Sequence, residues 1–264
     1  LIADFVFEMS FMAKIYLVTR GDDAGSSHSA NVAIRQSIEG GMLRNASIMV
    51  PGPAFEEAAE MLRDKNSADL GLHVVLNSEW DTPRWGPVAP REQVPSLLEA
   101  DGNFTHTPND LHQRQASVSE MMLEVRAQLA KARTAGLEIR YLDQHMGVGW
   151  VNGLGDELRS LCREENLIFA EGLPGLPSVE QGFDNPVDDL IARLKTASAG
   201  TYIYVTHPTL DDEETRAIVG MGNQPGQIAR ERDADRRLWL DERLRAACQQ
   251  FDVEFVRYSQ ILEI

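Results

Sequence analysis

Short β-rich runs alternate with segments of helical period from residue 14 almost to the C-terminus. Runs at 14–19 (KIYLVT), 46–50, 70–76, 138–142, 167–169, 201–206 and 253–256 predict strands. Between them, 30–38, 55–65, 117–135, 154–165, 185–197, 212–219 and 234–249 carry apolar residues at spacings of three and four and predict helices. Asn185-Pro186 has the chemistry of a helix start, with Asn as cap and Pro at the first helical position. About seven strands and seven helices in alternation imply βα units around a parallel sheet. A closed or nearly closed barrel fits the length as one domain, and an open doubly wound sheet is the alternative. No glycine-rich nucleotide fingerprint follows the first strand, which disfavours the dinucleotide-binding version of that open sheet.

Residues 14–264 therefore read as a single domain, preceded by an N-terminal extension at 1–13. The third strand leads into a stretch at about 77–114 that is rich in Pro, Gly, Asp and Asn. A loop of that length inside a compact domain usually serves a function.

Composition narrows the partners. Acidic residues outnumber basic ones 41 to 25, for a net charge of −16, while 43 % of residues are hydrophobic. Such a chain has the means for a core, and its charge repels the phosphates of nucleic acid and anionic membranes. No window is long and apolar enough to cross a bilayer. Cys162 and Cys248 form neither a CxxC pair nor a disulfide framework. The stretch at 1–12 carries Asp4 and Glu8 and has no basic segment, so it does not read as a signal peptide. The expectation is a cytoplasmic protein, with a signal on a longer precursor left open.

Reactive side chains gather at the predicted strand ends. The first strand leads into Arg20-Gly21-Asp22-Asp23-Ala24-Gly25, and His73, His145 and His207 lie within or just after three others. In a parallel barrel those ends share one face, where such folds place their chemistry. Two imidazoles and one carboxylate form a three-ligand site for a divalent metal; they suit Zn²⁺, with Mg²⁺, Mn²⁺ or Fe²⁺ as alternatives. The remaining titratable group is available for proton transfer. Each residue also has an ordinary structural reading: a strand histidine is commonly hydrogen-bonded in the core, and Asp-Asp before Gly is a turn signal.

The segments Asp22-Asp23-Ala24-Gly25, Gly71-Leu72-His73, Asp143-Gln144-His145-Met146-Gly147 and Thr206-His207-Pro208 occur in this order. With the Glu79-Trp80 and Arg84-Trp85-Gly86-Pro87 loop, this pattern resembles the YdjC family of carbohydrate deacetylases, which includes the chitooligosaccharide deacetylases. The resemblance implies a deformed TIM-like (β/α) barrel related to polysaccharide deacetylases, and metal-dependent removal of acetyl groups from N-acetylated sugars. Carried over by position, it implies one divalent ion held by Asp23, His73 and His145, with Asp22 as catalytic base and His207 as general acid. It also implies a small carbohydrate substrate and a possible homodimer. The chain departs from the family pattern at Arg20-Gly21, where Asn-Ala is commoner, at Ala24, where Phe is commoner, and at Gly147, where many members carry a second His.

Within this reading, Asp143 orients a ligand or His207 as an outer carboxylate. Trp80, Arg84 and Trp85 form a substrate wall, since aromatic rings stack on the apolar faces of sugars; as alternatives, the tryptophans anchor the loop to the barrel. The run from Arg230 to Arg237 reads as a solvated helix face. Other chemistry on the same barrel (a sugar isomerase or a different amidohydrolase) and a non-catalytic carbohydrate-binding barrel are the competing functions.

Overall fold

A computed structural model describes residues 14–64 and 67–261, so the N-terminal extension expected at 1–13 lies outside the described residues. Among the described residues there are seven strands: β1 (Ile15–Ala24), β2 (Asn45–Ile48), β3 (Asp69–Val74), β4 (Ile139–Gln144), β5 (Ile168–Phe169), β6 (Gly200–Thr206) and β7 (Val253–Val256). All pairings between them are parallel, in the order β5-β4-β3-β2-β1-β6, with β7 on β1. The helices are α1 (His28–Glu39), α2 (Phe55–Leu62), α3 (Pro108–Gln113), α4 (Val118–Thr134), α5 (Leu154–Glu165), α6 (Pro186–Thr196), α7 (Glu213–Arg216), α8 (Gln227–Leu238), α9 (Glu242–Gln250) and α10 (Tyr258–Ile261). None of the described helices is long and apolar enough to cross a membrane.

β1 is the hub. Along its first half it pairs with β6 on one side and β7 on the other, and at Arg20 and Gly21 the β7 place is taken by β2. The buried Asn45 amide joins this branch point, donating to the Thr19 carbonyl at 2.9 Å and the Val256 carbonyl at 3.1 Å. Alternation then sorts the side chains. Leu17, Ile48, Leu72 and Leu142 join the large core with helix residues such as Ile34, Phe55, Leu129 and Leu158. Val18, Tyr141, Val256 and Tyr258 form a smaller cluster within the curl of the sheet.

The sheet curls into an incompletely closed half-barrel. β5 has only two residues and runs into Gly172-Leu173-Pro174-Gly175-Leu176-Pro177, where each proline removes a ladder donor. A single parallel bridge, Gly175 to Ile203, with the Ile203 N–H donating to the Pro174 carbonyl at 3.0 Å, spans from this segment to β6. The barrel expectation thus holds for curl and strand order, without a regular ladder closing it.

Two predicted helices differ from those observed. The expected helix at 234–249 is two helices, α8 and α9. Trp239 is fully buried with its indole N–H on Thr206 Oγ1 at 2.8 Å, and Asp241 starts α9 by accepting from the Arg243 N–H at 2.7 Å. The helix expected at 212–219 shortens to α7, capped by Asp212. The loop at 77–114 has a core of its own. Val94, Leu97 and Phe104 are fully buried, and α3 opens on a reciprocal Thr107–Asp110 cap.

Candidate metal centre

The site begins with a defect in β1. Gly21 is in register with Ala46 and Ala24 with Ile48, so three steps on β1 oppose two on β2. The extra residue is a β-bulge, and Asp23 within it takes φ 71°. A regular strand would send Asp22 and Asp23 to opposite faces, whereas here both line one cavity of about 520 Å³ at the C-terminal mouth of the sheet. Gly25, at φ 101°, completes the turn; a Cβ there would sit 2.7 Å from the Met49 carbonyl oxygen.

β3 and β4 supply the imidazoles. His73 is in register with Asp143, and His145 follows β4 in a turn where Met146 and Gly147 both have positive φ. Three atoms converge. Asp23 Oδ1 lies 3.5 Å from His73 Nε2 and 3.5 Å from His145 Nδ1, and the two nitrogens are 3.2 Å apart. Tetrahedral coordination with bonds of about 2.0–2.1 Å spaces its donors by about 3.3–3.4 Å. Asp23 Oδ1 is buried without a hydrogen-bond partner, while Oδ2 accepts from Arg232 Nη1 at 2.7 Å. An unanswered carboxylate oxygen aimed at two imidazole nitrogens is the chemistry of a cation site, and a His/Asp site for a divalent metal is present here.

Each imidazole is held from behind by a carboxylate. Asp143 Oδ1 is 3.1 Å from His73 Nδ1, and Glu79 Oε2 is 2.8 Å from His145 Nε2. These contacts place the proton on the outer nitrogen of each ring and free the inner one for a metal. Without an ion the electrostatics are severe. Burial opposes ionisation of Asp23, but the Arg232 guanidinium and the two imidazoles hold it well below the usual carboxylate range. Burial likewise opposes charge on the rings. Asp143 and Asp22 nevertheless hold His73 well above its ordinary value, and Glu79 with Asp23 pushes His145 up to about 9.

The remaining expected residues separate into two groups. Asp22 and His207 line the same cavity as the three donors. Both Asp22 oxygens accept from Arg20, Nε at 2.7 Å and Nη2 at 2.9 Å, and Arg20 Nη1 continues to Asp143 at 3.0 Å. Arg20, one of the departures from the family pattern, thus ties the expected base to the carboxylate behind His73. The backbone N–H of His207 is fixed on Asp235 at 2.8 Å. Trp80 reaches the cavity wall with the Arg232 guanidinium 5.7 Å from its ring centroid. Arg84 and Trp85 do not line it. Arg84 is spent inside the loop on His106, on Glu99 at 3.1 Å and on the Phe104 carbonyl at 2.6 Å. Trp85 donates its indole N–H to the Asn77 carbonyl at 2.8 Å and packs edge-on, 6.3 Å from His145. Both therefore sit where a loop anchor sits, and neither meets the cavity as a substrate wall would.

Two members of the site carried no sequence signal of their role. Glu79 enters the sequence pattern only through the Glu79-Trp80 segment, with no role attached, and Arg232 falls in the 230–237 run expected to be a solvated helix face. In the structure α8 turns Arg232 to Asp23 and buries Asp233 between Arg236 and Arg237, at 2.8 and 2.6 Å.

A curled parallel sheet with a two-histidine, one-aspartate metal site at its C-terminal mouth places the chain among α/β metalloproteins of half-barrel type. It belongs to the YdjC-like family, whose model, described as YdjC-like protein, matches residues 16–186. A carbohydrate deacetylase from Oceanobacillus iheyensis is 24 % identical over 225 residues, covering 81 % of this chain and 92 % of the relative. Among solved structures, a proposed cellobiose-phosphate cleavage protein from Enterococcus faecalis superposes with a TM-score of 0.75 at 17 % identity, covering 94 % of this chain and 99 % of that one. A CE4 family pseudoenzyme, as a mutant with restored activity, reaches 0.53 at 11 % identity, covering 94 % and 68 %. These likenesses establish the deacetylase-type half-barrel as the fold.

Proposed function

We propose that this protein is a metal-dependent hydrolase that removes the acetyl group from N-acetylated sugars or short chitooligosaccharide-like chains, with zinc as the resident ion. The observation that carries the reading is the convergence of Asp23 Oδ1, His73 Nε2 and His145 Nδ1 beside a second carboxylate, Asp22. The names of the curated relatives supply the substrate class. Two imidazole nitrogens and one carboxylate suit zinc better than the harder Mg²⁺ or Mn²⁺.

A divalent ion held by these three residues supplies Lewis acidity, stabilising negative charge on the acyl oxygen and easing deprotonation of the attacking water. The protein's own groups do the rest. An ionised carboxylate offers about four lone-pair sites, so Asp22 keeps acceptor capacity while Arg20 fixes its plane. It takes the proton of the water as the water oxygen bonds to the acetyl carbon. His207 faces the same cavity and, as the general acid, gives a proton to the nitrogen as the C–N bond breaks, releasing acetate and a free amino sugar. Trp80 walls the cavity on the side of Arg232.

The test is acetate release from N-acetylated glucosamine and its β-1,4-linked disaccharide by zinc-loaded protein. Asp22→Asn is expected to keep stoichiometric zinc by elemental analysis and lose about 10²–10⁴ in kcat. His145→Ala is expected to lose the metal itself. Full activity in Asp22→Asn, or no acetate from either sugar with the wild type, overturns the reading.

A further inference from the structure

The metal cavity does not end at the metal. Gln144 and Gly147 line it on one side, and on their other side line a second cavity of about 590 Å³. The floor of this second cavity includes Gly149, Gly153 and Gly155, which place no side chain in the way, and its wall includes Trp150.

Trp150 is 55 % exposed. A large aromatic side chain left in water forgoes the burial that stabilises such residues elsewhere, and exposed apolar groups that cluster mark binding surfaces. They cluster here. Of the seven large hydrophobic side chains exposed among the described residues, four line these two cavities: Met146, Val205 and Met221 around the metal, and Trp150 beyond it. One side of the indole leans on His112, with ring centroids 5.3 Å apart, and His112 is itself steadied by Asn152 at 3.0 Å. The platform is thus braced from one side and open on the other.

The polar groups of the second cavity select the ligand. Arg159 lies between Asp156 at 3.2 Å and Glu171 at 3.0 Å, and Glu171 also accepts from the Gln144 amide. With Asp143 and Arg20 also lining the cavity, three carboxylates stand against two guanidiniums, which leaves the lining net negative, disfavours phosphate and offers acceptors to hydroxyl groups. An aromatic face edged with hydroxyl acceptors fits the apolar face and equatorial hydroxyls of a neutral pyranose.

We propose that this trough is a second sugar subsite, with Trp150 as its stacking platform, taking the uncharged ring next to the N-acetylated residue. The assignment rests on the deacetylase reading for which ring lies at the metal, and it makes the preferred substrate at least a disaccharide.

The experiment compares wild type, Trp150→Ala and Trp150→Phe on the N-acetylated monosaccharide and its β-linked disaccharide. The disaccharide-to-monosaccharide ratio of kcat/KM is expected to fall at least about tenfold in Trp150→Ala, through KM, and to recover in Trp150→Phe. An unchanged ratio overturns the subsite. Calorimetric binding of the neutral disaccharide to the same three proteins reads the subsite without turnover, so absence of acetate release would count against the reaction alone. Equal affinity in wild type and Trp150→Ala overturns the proposal, as does tighter binding of a phosphorylated disaccharide than of the neutral one.

Discussion

Asp23 holds a backbone angle, φ 71°, that costs a non-glycine residue about 1–3 kcal/mol. The surroundings that enforce it also use it: one oxygen is fixed by Arg232 and the other is aimed between two imidazoles. Gly71 is the counterpart on β3. A Cβ there would lie 2.1 Å from Tyr141 Cε2, and the Tyr141 ring cannot swing away because it is fully buried with its hydroxyl 2.9 Å from Ser47 Oγ. Ser47 in turn donates to Asp143, the carboxylate behind His73. Gly71→Ala is therefore expected to lose about 1–3 kcal/mol of stability by overpacking, measured from urea midpoints, and to weaken metal binding through the displaced Ser47–Asp143 contact. Wild-type values of both would sink this account. At this scale the sequence is informative where a residue's place follows from its own strand end, as for Asp22, Asp23, His73, His145 and His207, which line one cavity. It is silent where the role belongs to a partner far along the chain: Glu79 reaches His145 across 66 residues and Arg232 reaches Asp23 across 209. Arg20 lies two residues before Asp22 on the same strand face, so that pairing is local, but its tie onward to Asp143 joins β1 to β4 and no local pattern announces it.

Helix α4 shows how an element serves the site from a distance. Its inward stripe of Met121, Val125, Leu129 and Ala132 was legible as core, but the fully buried Glu124 in the same helix was not. Glu124 accepts the backbone N–H groups of Val88 at 3.0 Å and Ala89 at 2.8 Å, and the Gln128 amide at 2.8 Å. Burial still pushes its carboxyl above the usual range, so the hydrogen bonds only partly offset desolvation. Glu120 adds a second tie, to the Ser96 N–H at 2.7 Å. Together they strap the loop at 77–114, which carries Glu79 and Trp80 to the metal cavity. Glu124→Ala strands two backbone donors and is expected to cost about 2–5 kcal/mol and to speed limited proteolysis within this loop. Glu124→Gln keeps an acceptor oxygen and should recover part of the loss. A change of under about 0.5 kcal/mol in Glu124→Ala, the level of a neutral surface substitution, would remove the strap from the argument. The strand pattern was readable because parallel strands need periodic apolar runs. The break between α8 and α9 and the open seam beside β5 were not, because both depend on tertiary partners: Thr206 for Trp239, and Ile203 for the segment after β5.

For the whole molecule, the net charge of −16 favours accumulation of cations around a mouth that already holds Asp22, Asp23, Glu79 and Asp143. In the metal-free state two protons answer those carboxylates, since His73 is held well above its ordinary value and His145 at about 9. A divalent ion carries the same charge and needs the same two nitrogens unprotonated, so loading exchanges about two protons for one metal ion. The sign of the pH dependence follows. Raised histidine values stabilise the metal-free fold fully below the unfolded value of about 6.5, and the His145 part of this contribution is lost as pH rises through about 9. Metal affinity moves the other way, strengthening by about tenfold per pH unit for each proton that must leave. Calorimetric titration with zinc in buffers of different ionisation enthalpy should therefore report release of close to two protons at pH 7. The gap in Tm between zinc-saturated and chelator-treated protein should widen steadily from pH 6 to pH 9, because mass action adds to the loaded state what deprotonation removes from the empty one. A constant gap, or a proton count near zero, would mean that the two imidazoles do not share the ion.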